Sequence, residues 1–223
     1  MITATLIDSM GNDTSVCSAA RVSFNKRADQ YSDEANAKLI QYLAKHKHYS
    51  PFGHCFASFH IKAPIFVARQ LVKHEYLRMN EISRRYVDSE PEFYVPEVWR
   101  GRAKDKKQGS SDWSVSYDSL PLVVKTGENL YEGSEWTDYN TIAIGLYNEL
   151  LFANISPEMA RMVLPQSMYT EWYWSGSMDA FANMCILRLK DDTQYETRLV
   201  ASEIDKVMQG LYPVSWKALV PNE

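Results

Sequence analysis

The stretch Cys55–Ala63, CFASFHIKA, alternates with a period of two. Cys55, Ala57, Phe59, Ile61 and Ala63 fall on one face, and Ser58, His60 and Lys62 on the other. Successive side chains of a strand point to opposite sides, so the pattern predicts a half-buried β-strand. Pro64 follows at once. Proline is tolerated in a first helical turn, and the chain is predicted to pass directly from this strand into a helix over about Ile65–Glu75. On that helix Arg69 and Lys73 are i, i+4 neighbours, as are Gln70 and His74, so polar groups form an edge beside an apolar face.

The rest of the chain supplies the partners. Residues 2–7 read as a strand ended by the turn signal SMGND. SVCSAARVSF and SDEANAKLIQYLAKHKH read as helices, HYSPFGH as a turn, and residues 100–118 as a polar loop. TDYNTIAIGLYNELLFANI is an amphipathic helix pattern. Ser156-Pro157-Glu158 starts a further helix that Pro165 stops, and SMDAFANMCILRL reads as another. The last, TQYETRLVASEIDKVMQGLYP, opens with Thr193 and Glu196 in capping-box spacing and closes near Gly210 and Pro213. No internal repeat is present. The pattern predicts a single α+β domain over residues 1–223, with a central mixed or antiparallel sheet packed by helices and a helical part beside it.

A chain of 223 residues is long enough to bury a proper core. Its formal charge of −4 does not favour non-specific binding to nucleic acid or to a membrane surface, so any basic site must be local. Three cysteines without close pairing (Cys17, Cys55 and Cys185) argue against a disulfide framework or zinc ribbon and fit a reducing compartment. The first residues lack a basic segment followed by a long apolar run, and no apolar stretch reaches transmembrane length. A soluble cytoplasmic protein is expected.

The chain has no P-loop lysine motif, no glycine-rich dinucleotide fingerprint and no GxSxG elbow. His46, His48 and His54 lie close together without a matching acidic or cysteine set, so no metal site is expected. Arginines, by contrast, recur among apolar neighbours: Arg21 in AARVSF, Arg161 in EMARMVLP, Arg188 in CILRLK. They add to the cations of FVARQLVKHEYLRMNEISRRYVD, residues 66–88. A guanidinium in apolar surroundings needs an anionic partner. Two readings stand: ion pairing with Glu158, Glu196 or Glu81, or a cleft for a phosphorylated ligand, which arginine suits through bidentate contacts. The aromatic run MYTEWYWSG is equally two-sided, serving either packing or a wall for a planar heterocycle.

The order of motifs resembles the flavin-dependent thymidylate synthases, the ThyX family. That family's pattern is R-H-R-x-x-S-x-N-E-x-S-x-R-Y, and this chain reads KHEYLRMNEISRRY from Lys73 to Tyr86. AARVSF, HYSPFGH, APIFVARQ, EFYVP, ARMVLP, YTEWYW and LRLKDDTQYE occur in the family's order as well. The resemblance implies an α/β homotetramer with active sites between subunits. It implies an enzyme that binds FAD, takes hydride from NADPH and moves a one-carbon unit from 5,10-methylenetetrahydrofolate to C5 of dUMP, giving dTMP without a cysteine nucleophile.

Carried over by position, the resemblance assigns dUMP to Gln70, Lys73, Glu81, Ser83, Arg85, Arg161 and Arg188. Arg188, Ser83 and His48 are its catalytic positions: Arg188 and Ser83 at the pyrimidine, His48 on the flavin and folate side. FAD falls to Ser23, Ser50, Lys73, His74, Glu81 and Asn183. An arginine beside the pyrimidine favours the N3-deprotonated ring. The chain departs from the family at Lys73, Glu75, Arg78, Ser177 and Asp179, and has Gly53 where glutamate is frequent. Alternatives of the same scaffold are methylation or hydroxymethylation of dCMP, hydroxymethylation of dUMP, or a silent nucleotide-binding homologue.

Overall fold

The computed structural model describes residues 1–87, 89–104, 109–115, 122–126, 129–133 and 136–221. The alternating stretch is strand β2 (Phe56–Pro64), and the helix after it is α3 (Ile65–Leu71). β2 lies inside a four-stranded antiparallel sheet of order β1-β2-β8-β3, with β1 at Thr3–Met10, β3 at Leu77–Glu81 and β8 at Tyr169–Ser177. The aromatic run is therefore a strand. Trp172 and Trp174 point inward opposite Ile61 and Phe59, and Tyr173 points outward opposite His60. Packing claims two of the aromatics that sequence left open between packing and ligand stacking.

The inward side chains Ala57, Phe59, Ile61 and Ala63 are buried, and α6 (Met178–Arg188) packs onto them through Phe181. The Phe181 ring lies edge-on to Phe59 at 5.3 Å and to Trp174 at 5.5 Å. Such edge-to-face pairs add to the burial of the rings themselves. Helices α1 (Asp13–Arg21), α2 (Asp33–Lys45), α7 (Tyr195–Leu211) and α8 (Pro213–Leu219) complete the same core. Asp13 accepts hydrogen bonds from Val214 and Ser215 N–H at 3.0 and 2.8 Å, satisfying two open donors of the first turn of α8. The outer face is polar: Ser58 and Ser175 hydroxyls meet at 2.8 Å, and His60 and Lys62 face Glu171.

β3 is pressed onto β8 at Gly176. A Cβ there would come within 2.4 Å of Leu77 Cδ2 and 3.0 Å of the Tyr76 carbonyl oxygen. Tyr76 itself turns the chain with φ of 64°, and this turn returns the segment after α3 to the sheet edge.

Three local expectations change. The helix after Pro64 ends at Leu71, not near Glu75, so Lys73 and His74 lie in the turn beyond it. Residues 100–118 do not form only a loop: β4 (Trp99–Arg102) and β5 (Ser110–Val115) pair as an antiparallel hairpin, and residues 105–108 and 116–118 lie outside the described ones. The expected capping box is absent. Gln194 is the N-cap of α7 without a side-chain cap, Thr193 donates to the Leu187 carbonyl, and Glu196 turns to Arg100 and Tyr94. A buried carboxylate satisfied by a guanidinium and a phenol outweighs one exposed backbone amide.

A second pair, β6 (Leu122–Thr126) and β7 (Asn129–Gly133), precedes α4 (Trp136–Phe152) and α5 (Pro157–Ala160). Among the described residues no helix is long and apolar enough to cross a membrane, and no group of three or more metal-ligating side chains occurs.

Candidate functional site

The predicted site residues fall into three groups. The first joins α3 to α6. Arg188, in the last turn of α6, donates from Nε to His74 Nε2 at 2.9 Å and from a terminal nitrogen to the Gln70 carbonyl at 3.1 Å. Gln70 is held in turn: its amide nitrogen donates to Gln194 Oε1 at 2.5 Å, and its amide oxygen accepts from Thr197 at 3.2 Å. Sequence reasoning missed Gln194 and Thr197. The only signal available was their place beside Glu196, and that was read as helix capping.

His74 receives a proton donor on Nε2, so its own proton sits on Nδ1. Burial, and secondarily the Arg188 cation, lower its pKa to about 4. It is neutral at pH 7. Burial also lowers the pKa of Arg188 from its ordinary value, without bringing an arginine near deprotonation. Among the described residues no carboxylate pairs with Arg188. A half-buried guanidinium is thus clamped by two neutral acceptors, and its charge is left for an anion.

A pH prediction follows from His74. Its folded pKa lies below the ordinary 6.5, so the unfolded chain takes up the proton first as pH falls. The stability attached to this site is present above pH 6.5 and is lost as pH falls from 6.5 towards 4. Urea unfolding at pH 7.5 and 5 is expected to show a loss larger in the parent than in His74→Gln, by about 1 kcal/mol after solvent screening. An equal loss in both proteins removes His74 from the account.

The second group is a cleft of about 510 Å³ at the edge of β3, lined by Glu81, Ser83, Arg85, Arg161 and Thr170 among others. Ser83 Oγ accepts from Arg85 N–H at 3.3 Å and from its guanidinium at 3.4 Å, which orients that arginine. Glu81 accepts from the Thr170 hydroxyl at 2.6 Å, a further partner missed in the sequence. Neither Arg85 nor Arg161 is ion-paired among the described residues. Ion pairing with Glu158, Glu196 or Glu81 is therefore not what these arginines do. Arg21 has neutral partners too: it donates to Asn36 at 2.6 Å and stacks 4.0 Å over the Tyr31 ring.

The third group is more open. Ser23, His48, Ser50 and Asn183 are exposed, and His48 lies edge-on to Tyr42 at 6.2 Å. Gly53 faces Asp179, whose Oδ1 is 3.8 Å from where a Gly53 Cβ would stand. That oxygen is shielded from solvent and has no hydrogen-bond partner. Lys73 is exposed, and among the described residues its side chain has no hydrogen-bond partner; the cysteines are buried, with burial raising the thiol pKa of each. The structure offers no poised thiolate.

The three groups come from different segments, and the cleft of Glu81 and Arg161 contains none of Gln70, His74 or Arg188. Against known proteins, residues 5–214 match the thymidylate synthase complementing protein family model. The chain is 38% identical over 213 residues to a flavin-dependent thymidylate synthase of Thermus thermophilus, covering 96% of this chain and 73% of that one. It is 38% identical over 218 residues to one from Kosmotoga olearia, covering 96% and 88%. A crystal structure of the UMP/dUMP methylase PolB from Streptomyces cacaoi, bound with 5-Br dUMP, superposes with a TM-score of 0.80 at 30% identity, covering 98% of this chain and 94% of that one. With this agreement over nearly its whole length, the chain belongs to the flavin-dependent thymidylate synthase family.

Proposed function

We propose that the protein is a flavin-dependent dUMP methylase that transfers a one-carbon unit from 5,10-methylenetetrahydrofolate to C5 of dUMP, with reduction by NADPH through FAD. The observation that carries this is the set of arginines without acidic partners among the described residues, Arg85 and Arg161 in one cleft and Arg188 beside His74 and Gln70. The phosphate is assigned to Arg85 and Arg161, whose planar donors match its oxygens. Ser83, which already orients Arg85, and Glu81 complete that end. Arg188 is assigned to the pyrimidine, where a fixed guanidinium favours loss of the N3 proton and a more nucleophilic ring. Neutral His74 and the Gln70 carbonyl hold its fork in place.

Arg188 does not line the phosphate cleft, and the reading assigns the two to different copies around one nucleotide, in the single-domain homotetramer the family resemblance implies. The exposed apolar side chains Ile142, Leu146, Phe152, Met159 and Met162, on α4, α5 and the turn at Arg161, support an interface beside the phosphate cleft. Exposed apolar surface grouped in this way marks association.

The flavin position is assigned to Ser23, Ser50, His48, Asn183 and the Gly53–Asp179 corner, together with Lys73, His74 and Glu81, which the family resemblance adds. The residues present fit its hydroxyl and ring N–H groups, since Asp179 Oδ1 is an acceptor without a partner. When bound, flavin supplies the hydride chemistry that no side chain here can supply. Lys73 and Arg78 are the cations of the central motif suited to its phosphates, because Glu75 and Asp179 are not.

The test is product analysis with dUMP, methylenetetrahydrofolate and NADPH, together with the visible spectrum of FAD-loaded protein with and without dUMP. dTMP and a flavin spectrum that shifts on adding dUMP are expected. In Arg161→Ala, dUMP affinity is expected to fall about 10- to 100-fold, one charged hydrogen-bond pair. Turnover of dCMP alone, or no flavin retained with or without dUMP, overturns the reading.

A further inference from the structure

Beside α3 lies a second cleft of about 550 Å³, a size that suits a small-molecule site. It shares no lining residue with the cleft of Arg85 and Arg161. Phe66 and Tyr94 wall it, their rings edge-on at 6.0 Å, and Pro96 and Pro165 extend the apolar surface. In it lies Glu196, only 3% exposed. One carboxylate oxygen, Oε1, accepts from two donors, the Arg100 guanidinium and the Tyr94 hydroxyl, the latter at 3.0 Å. The other, Oε2, is buried and has no partner. Ser167 Oγ, lining the same cleft, is likewise buried without one.

A desolvated carboxylate oxygen without a donor is unfavourable unless something supplies the missing hydrogen bond. Arg100 already cancels the charge of Glu196, so a cation would leave the buried site with net positive charge. The missing donor is therefore neutral. It must also suit an aromatic wall, and an amino-substituted ring does: its faces pack on Phe66 and Tyr94, and its N–H points at Glu196.

We propose that this cleft is a binding site for a neutral, amino-substituted aromatic heterocycle of nucleobase size, anchored by Glu196 Oε2 and Ser167. The site adjoins the first group of functional residues. Gln194 lines the cleft and accepts the hydrogen bond of Gln70, whose carbonyl holds Arg188. An occupant thus rests against the support of the candidate pyrimidine-binding arginine. The cleft and its orphaned acceptor stand whether or not dUMP is the substrate.

The probe is adenosine, compared with purine riboside, which lacks only the exocyclic amine. Binding is read by calorimetry with FAD and dUMP both saturating, so that neither of those sites is open to the probe. Adenosine is expected to bind, with purine riboside at least about 10-fold weaker. Glu196→Gln presents an amide N–H where the acceptor was and is expected to weaken adenosine at least about 10-fold. That substitution also disturbs the Arg100 pair, so Val98→Trp, at a half-exposed position on the cleft rim, provides a variant that blocks the cleft without touching the pair. No adenosine binding, equal binding of the two nucleosides, or unchanged adenosine affinity in folded Val98→Trp overturns the proposal.

Discussion

Replacing Arg188 with alanine is expected to lower kcat for dTMP formation about 10²- to 10³-fold, the range for losing one fixed donor aimed at developing charge. The fold should survive. Arg188 has no acidic partner among the described residues, so no buried carboxylate is stranded by its removal. What remains unmet is His74 Nε2 and the Gln70 carbonyl, at a stability cost of about 1–3 kcal/mol. Arg188→Lys keeps the charge but cannot reach His74 and Gln70 as a fork while facing the ring, so most of the loss should persist. If the guanidinium acts by favouring the deprotonated pyrimidine, raising the pH should restore part of the rate in Arg188→Ala and little in the parent. An alanine variant with unchanged kcat removes Arg188 from the reaction.

The largest stability effect is expected at Trp174. It is 1% exposed, stands opposite Phe59 on β2 and Met79 on β3, and lies edge-on to Trp172 and Phe181. Its truncation leaves a cavity where two neighbouring strands and α6 meet. Trp174→Ala should lose about 3–5 kcal/mol, which lowers the urea midpoint by about 1.5–2.5 M for a slope near 2 kcal/mol/M. Tyr173, one residue back and 53% exposed on the opposite face, is the control. Tyr173→Ala should shift the midpoint several-fold less. Comparable shifts at the two positions would mean that the inward face of β8 is not the core. Trp172 is a poorer choice for this comparison, because its buried indole N–H has no acceptor and its removal also relieves an unmet donor.

Sequence was informative where the physics is local. β2 was legible because its two faces meet different solvents, and its side chains alternate accordingly. The passage from Pro64 into α3 was legible because proline fixes φ at the helix start. β8 was not legible. Trp172, Tyr173 and Trp174 are all aromatic, so no alternation marks the two faces, and only pairing with β2 and β3 distinguishes them. The β4–β5 hairpin was hidden by its polar composition, since it adds little to the core that periodicity reports.

The candidate site divides in the same way. The chain shows arginines among apolar neighbours, and the central motif gives their order, but both an acid and a ligand remained open as the partner of each. Which arginines meet which acids could not be read there. Glu196 stands eight residues after Arg188 in sequence, yet it pairs with Arg100 from the hairpin, while Arg188 reaches back to His74 and Gln70. Pairing depends on distances between segments far apart in the chain, and only packing sets those distances. The strand-to-helix turn, the amphipathic helices, the unreactive cysteines and the family resemblance could all be read from the residues in order, because each depends on neighbours close in the chain or on motif order. The tertiary structure decided that Arg85, Arg161 and Arg188 keep their charges unpaired among the described residues, and that Glu196 is buried with one oxygen unmet, because each depends on what the fold brings within hydrogen-bond reach.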